Sequence, residues 1–279
     1  MEFAEPARYD PRVNVPTAIA APTDRAATPS ARMSSTAVTS EVIVPLYNER
    51  AMIPAVHAAI VAFAERHPEW RVRFVDDGST DDTAERLRTL LLVNDAGGRL
   101  TLEALPGNVG KADAVSHGIK AATAPRVFYM DGDLAYDPEL LVQLDRALDT
   151  HDVAIGSRGI GEGGRTPGVL RRVMGESYNL LVRSILGLKH RDTQAGIKGF
   201  RREAAEQLFA RRTSRGFGFD AELLFIAKRR KLRVAEIPVT VNPAHDAAGS
   251  NVRLIRDPLR MLVSLARIRM DAIRGAYRH

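Results

Sequence analysis

Between Val42 and Leu148, short apolar runs rich in β-branched and aromatic residues alternate with longer segments of helical periodicity, and few folds accept that alternation. Val42–Val44, Trp70–Val75, Leu100–Leu105 and Val127–Met130 read as strands. Between them, Asn48-Glu49 opens a helix with Ile53, Val56, Ile60 and Phe63 on one face. Ser79 or Thr80 is the expected N-cap of the next, with Asp81-Asp82 set against its positive end. A third helix covers Ala112–Ala122, and a fourth starts at Asp137-Pro138 and runs to about Leu148. Such βαβ repeats require right-handed crossovers and a mostly parallel central sheet flanked by helices, an α/β fold. Ligands bind such sheets in the crevice beyond the C-terminal ends of the strands, so the turns after each strand are where chemistry is expected.

The turn after Val127–Met130 is Asp131-Gly132-Asp133. Two carboxylates one residue apart can aim at one point, and a hard divalent cation such as Mg²⁺ or Mn²⁺ suits it. Such ions take oxygen ligands, commonly one or two carboxylates completed by substrate phosphates, which points to a diphosphate-bearing substrate. Gly132 is expected to let the backbone approach it. After Trp70–Val75 comes Asp76-Asp77-Gly78-Ser79-Thr80-Asp81-Asp82; helix capping accounts for Ser79 through Asp82 but not for Asp76 and Asp77. Gly107-Asn-Val-Gly-Lys111 leads into a helix, a turn that can hold an anion through backbone N–H groups and the helix dipole.

The second half continues with a strand at Val153–Ile155 that ends in Gly156-Ser157-Arg158, then a glycine-rich stretch from Gly159 to Gly168, a lid candidate. A helix pattern from Val169 ends at Gly187, and helices follow at Glu203–Ala210 and from Phe217 to near Lys231, then a strand at Arg233–Pro238. Met1–Ser40, rich in Ala, Pro, Ser and Thr, reads as a disordered arm before a domain spanning 41–252. Residues 253–279 form a basic amphipathic helix, with Leu259, Leu262, Val263, Ala266, Met270, Ile273 and Tyr277 on one stripe. Arg256, Arg260, Arg267, Arg274 and Arg278 lie along a neighbouring face.

The chain has no cysteine, which excludes disulfides, thiolate nucleophiles and Cys-based zinc sites. No apolar run approaches the roughly 18 residues of a membrane span, so a cytoplasmic protein is expected, or one peripheral at the inner face of the cell membrane. The net charge of +6 is concentrated in the tail, where seven arginines from Arg253 to Arg278 face only Asp257 and Asp271. Those arginines are not interleaved with aromatics, so the charge is not read as a nucleic-acid surface.

Val44-Pro-Leu-Tyr-Asn-Glu49, Val75-Asp-Asp-Gly-Ser-Thr-Asp81, Gly107-Asn-Val-Gly-Lys111, Asp131-Gly-Asp133 and Gly156-Ser-Arg158 together resemble glycosyltransferase family 2. Asp192-Thr-Gln-Ala-Gly-Ile-Lys-Gly-Phe-Arg201 and Gly218-Phe-Asp-Ala-Glu-Leu-Leu224 resemble its dolichyl- and polyprenyl-phosphate glucosyl- and mannosyltransferase branch. The resemblance implies the GT-A fold, with Pro45, Tyr47, Glu49, Asp76 and Asp77 lining a nucleoside pocket. Asn108 and Lys111 would lie near the diphosphate or sugar, and Asp131 and Asp133 would hold Mg²⁺ or Mn²⁺. It implies inverting transfer of a hexose from a nucleoside-diphosphate sugar, UDP-glucose or GDP-mannose, to a polyprenyl phosphate. Arg158, with Arg171 or Arg172, would clamp the acceptor phosphate through bidentate guanidinium contacts. Asp192 and Gln194, with Thr193, fall to the acceptor or sugar side, and Lys198 is either a supporting cation or an exposed strand residue. Asp220 is expected in the site, and with Glu222 would be the base if the acceptor were instead a hydroxyl of a soluble glycan, protein or small molecule. Relatives often carry Gln where this chain has Ala135, and many carry transmembrane helices. The basic tail could take their place on an anionic membrane, or pack on the domain.

Overall fold

The computed structural model describes residues 37–158, 179–216, 218–242 and 256–277, the last from 262 on for side chains. The expected arm, the glycine-rich stretch, Arg171, Arg172 and Arg253 lie outside them. In chain order the elements are β1 (Ser40–Leu46), α1 (Ile53–Arg66), β2 (Trp70–Asp76), α2 (Thr83–Val93), β3 (Leu100–Ala104), α3 (Lys111–Ala121), β4 (Arg126–Met130), α4 (Leu140–Ala147) and β5 (Val153–Ser157). There follow α5, whose described part is 179–186, then β6 (Ile197–Arg201), α6 (Arg202–Arg211), α7 (Phe219–Arg229), β7 (Val234–Pro238) and α8 (Arg256–Ile273).

The strands form one seven-stranded sheet in the order β3-β2-β1-β4-β6-β5-β7. Its central strands are apolar on both faces because helices cover both. Along β1, Val42 and Val44 enter one core with Trp70, Phe74 and Phe128, while Ile43 enters the other with Val115, Tyr129 and Phe200. Helices α1, α2 and α4 cover the first core; α3, α5, α6, α7 and α8 cover the second.

Strand β6, which the sequence suggested only as one alternative for Lys198, is the sheet's antiparallel member, pairing Met130 with Ile197 and Arg126 with Arg201 on one side and β5 on the other. Running against its neighbours, it brings its N-terminal end to the C-terminal ends of β4 and β5. Residues 192–196 are thereby delivered to the crevice. The strand carries Gly199 because a Cβ there would sit 2.3 Å from the Phe128 ring.

Two further expectations need correction. Ser79 and Thr80 do not cap α2: its N-cap is Asp82, and the Ser79 hydroxyl instead donates to Asp76. Helix α8 does pack on the domain, but through Leu265, Ile268, Ala272 and Tyr277. Of the apolar stripe read from the sequence, Tyr277 is buried, whereas Leu262, Val263, Ala266, Met270 and Ile273 are exposed.

Tyr277 locks α8 to α7. Its hydroxyl donates to Glu222 Oε1 at 2.7 Å, and the same buried carboxylate accepts from the backbone N–H groups of Thr213 and Ser214, each at 2.8 Å. Burial, with Glu222 alongside, pushes the phenol well up, so it stays a donor. Tyr277→Phe should therefore cost about 2 kcal/mol, a hydrogen bond to a charged acceptor, seen as a lower midpoint in urea unfolding.

Candidate active site

The loops beyond β1, β2 and β3 are tied into one rim. The Asp77 N–H donates to Leu46 O at 2.8 Å, and the Leu105 N–H to Asp76 O at 2.9 Å. Asn48, in the left-handed region at φ 54, accepts through Oδ1 from the Thr80 N–H at 2.8 Å. Asp77 accepts from the N–H groups of Val109 and Gly110, at 2.7 and 2.9 Å, which fixes the turn that precedes Lys111. Gly78 is required at this junction: at φ +64, a Cβ would strike the Gly107 backbone at 2.3 Å. Asp76 and Asp77 are thus buried loop organisers, while Tyr47, 42% exposed, faces solvent at the rim.

Asp131 stands at the centre of this edge, and Gly196 is its reason for a bare backbone opposite. A Cβ on Gly196 would fall 2.0 Å from Asp131 Oδ2, and the Asp131 N–H donates to Gly196 O at 2.9 Å. Gly132 has a packing reason as well: a Cβ there would meet Leu46 at 2.6 Å and the Pro45 carbonyl at 2.8 Å. Asp133 accepts from the Ala135 N–H at 3.0 Å, and the Ala135 carbonyl accepts from Asn242 at 2.8 Å. Gly196→Ala should displace the Asp131 carboxylate and lower kcat/KM about a hundredfold, the scale of an ångström misplacement in a site. Steady-state kinetics beside a circular dichroism spectrum would check it; full activity would refute this packing argument.

Around Asp131 the charges interlock. Lys111 Nζ lies 2.6 Å from Asp131 Oδ1. Burial raises the Asp131 carboxyl above its usual range, with Lys111 opposing and Asp133 and Asp220 adding. Burial alone would pull Lys111 down, but Asp131, Asp220 and Asp133 outweigh it and hold the ammonium charged. Asp220 pairs with Lys198 Nζ at 2.5 Å and accepts from the Tyr129 hydroxyl. Burial would raise its carboxyl, yet Lys198 and then Lys111 hold it low. Lys198 is 0% exposed, so it is no surface strand residue; it also donates to Ala195 O at 2.6 Å. Tyr129 and Lys198 are the residues that motif reading underweighted. The available signal was a lone lysine inside the apolar run Ala195–Phe200, since a buried lysine demands a carboxylate.

Arg158 and Asp192 form a bidentate pair, Nε to Oδ2 at 2.6 Å and an Nη to Oδ1 at 3.1 Å. Burial would raise Asp192, but Arg158 holds it below its usual range. Asp192 also accepts from the Gln194 N–H at 3.0 Å, ordering that loop. Asp220 and Glu222 do not act together: Glu222 is fully buried in the lock with Tyr277.

The acidic pair fits a metal ion of the expected kind. Asp131 Oδ1 is buried and faces the Lys111 cation at 2.6 Å, so a positive charge already sits against the oxygen. Among the described residues, no three acidic or histidine side chains converge, so the chain offers a partial oxygen shell of the sort that substrate phosphates complete.

The Glycosyl transferase family 2 model matches residues 41–209. The chain is 32% identical over 253 residues to dolichyl-phosphate beta-glucosyltransferase ALG5C of Trichomonas vaginalis, covering 84% of this chain and 72% of that one. It is 30% identical over 262 residues to the dolichyl-phosphate beta-glucosyltransferase of Saccharomyces cerevisiae, covering 85% and 76%. Among solved structures, glucosyl-3-phosphoglycerate synthase from Mycobacterium tuberculosis, in complex with Mn²⁺, UDP and glucosyl-3-phosphoglycerate, aligns with a TM-score of 0.59 at 20% identity, covering 84% and 79%. The mannosyltransferase PcManGT from Pyrobaculum calidifontis, in complex with GDP-Man and Mn²⁺, aligns at 0.53 and 22% identity, covering 73% and 56%. The sheet, its loops and these matches together make the chain a glycosyltransferase of family 2 with the GT-A fold.

Proposed function

We propose that the protein transfers glucose or mannose, with inversion, from UDP-glucose or GDP-mannose to a polyprenyl phosphate, working at the inner face of the cell membrane. The observation that carries this reading is the pairing of Asp131 with Lys111 at 2.6 Å, a metal-apt carboxylate already facing a cation at the edge of the sheet. The family relatives, named dolichyl-phosphate glucosyltransferases, support the acceptor class.

Asp131 and Asp133 would hold Mg²⁺ or Mn²⁺, which when bound neutralises charge on the donor diphosphate. Lys111 supplies its ammonium to the same diphosphate as the glycosidic bond breaks and negative charge grows there. The Asp77-ordered turn holds Asn108 beside it, and Pro45, Tyr47 and Glu49 form the nucleoside wall. Arg158, oriented by Asp192, receives the acceptor phosphate, with Gln194 on the ordered loop beside it. Arg171 and Arg172 remain candidates for the same clamp. A phosphate monoester has its second pKa near about 6, so its attacking oxygen is ionised without a base. Asp220, held low by Lys198, is a poor proton acceptor, which favours such a nucleophile over a sugar hydroxyl.

A soluble phosphorylated acceptor is the second reading, favoured by the phosphoglycerate ligand of a structural neighbour and by the absence of a membrane-crossing helix among the described residues. Incubation of labelled UDP-glucose or GDP-mannose with Mn²⁺ and polyprenyl phosphate, followed by solvent extraction, separates the two. Label should move to the organic phase; donor consumption with all label left in water would reject the lipid acceptor.

A further inference from the structure

Helix α8 carries apolar side chains on two faces. One, formed by Leu265, Ile268 and Ala272, is buried on the domain. There a Cβ on Gly218, at the start of α7, would stand 3.0 Å from Ser264 and 3.3 Å from Ile268, so the contact is close. The other face holds Leu262, Val263, Ala266, Met270 and Ile273 at helical spacing, all exposed, Ile273 at 78%. A helix that has already buried one face has no packing reason for a second apolar stripe.

The charges flanking that stripe identify its occupant. At 3.6 residues per turn, Arg267 and Arg274 border one side and Arg269 the other, all exposed. Asp271, the described acidic residue of this helix, turns toward the domain, where it accepts from the Thr213 hydroxyl at 3.0 Å and is 17% exposed. The outward face is therefore aliphatic and edged with three arginines, of which Arg274 also stands 3.9 Å from the inward-turned Asp271. A second copy docked on a two-fold axis would bring arginine-edged stripes together, like charge against like. An anionic bilayer satisfies both components, taking the aliphatic stripe at the acyl boundary and the guanidinium groups at its phosphates.

We propose that the outward face of α8 is a docking surface for an anionic membrane. The helix lies across Gly218, two residues before Asp220, and is bolted to α7 through Tyr277 and Glu222. Docking thus holds the Asp220 end of the site toward the bilayer. The docking argument stands on the residues of α8; its use in presenting a lipid phosphate rests on the acceptor reading above.

The full-length protein should sediment with vesicles of phosphatidylglycerol and phosphatidylcholine at physiological salt, and little with phosphatidylcholine alone. Val263→Glu with Ile273→Glu should weaken that binding more than about tenfold, since each side chain would otherwise leave water. Arg267→Gln and Arg274→Gln should each weaken it about fivefold. All four positions are exposed, and thermal melts of the variants would verify that they fold. Unchanged sedimentation of the double Glu variant, or equal binding to neutral vesicles, overturns the proposal. So does a wild-type dimer in sedimentation velocity that the Glu pair dissociates, which would assign the face to a second copy. Transfer to polyprenyl phosphate in detergent without vesicle binding would sink the docking and spare the acceptor reading. Vesicle binding without such transfer would do the reverse.

Discussion

Asp131→Asn should lower kcat/KM by about a thousandfold while leaving the fold intact. Asparagine keeps the volume and the contact with Gly196, whose Cα side has no room for a larger neighbour. It removes the negative charge that faces Lys111 at 2.6 Å and, in the proposed reaction, the grip on the metal–diphosphate. Loss of one preorganised electrostatic partner commonly costs 10² to about 10³ in rate, and in the proposed reaction the same carboxylate would be both metal ligand and Lys111 counterion. Asp133→Asn should act in the same direction. Donor turnover measured across an Mn²⁺ titration checks both: the Asn variants should need more metal and still fall short at saturation. Wild-type turnover would return Asp131-Gly132-Asp133 to an ordinary acidic turn and remove the metal assignment.

How far the site was legible can be argued from particular residues. Asp131 was readable because it follows a strand whose four apolar residues are all buried. Continuous apolarity marks a central strand, and its C-terminal end marks the crevice. Strand β6 was faint, offered only as one reading of Lys198, because its close contacts require glycines: Gly196 against Asp131 and Gly199 against Phe128 strip it of the β-branched signal. The antiparallel insertion that gathers Asp192, Gln194 and Lys198 was faint with it. Asp220 and Glu222 illustrate the opposite case. Residues two apart on a helix point to different sides, so their separate fates, one in the charge cluster and one under Tyr277, follow from α7 being helical. For α8, periodicity found the broader stripe, but the domain took the narrower one, because Ile268 and Ser264 are what fit over Gly218.

The Lys198–Asp220 pair should reveal itself through stability as well as rate. Lys198 is 0% exposed and its ammonium meets Asp220 and the Ala195 carbonyl. Asp220→Leu would strand that charge in the core, and removing one member of a buried pair costs about 3 to 5 kcal/mol. Replacing both charges with apolar groups is far cheaper, because the desolvation cost disappears with the attraction. Asp220→Leu with Lys198→Met should therefore recover most of the loss, provided Tyr129→Phe removes the hydroxyl that would be left without Asp220. Stability would return without the chemistry: transfer should stay impaired in every variant lacking Asp220, since Asp220 is the carboxylate that pairs with Lys198 and adds to the charge cluster around Asp131 and Lys111. Urea unfolding of the single and triple variants, set beside donor turnover, separates the two roles. An Asp220→Leu variant as stable as wild type would mean the pair is not energetically buried. A triple variant with restored turnover would show that Asp220 serves the fold alone.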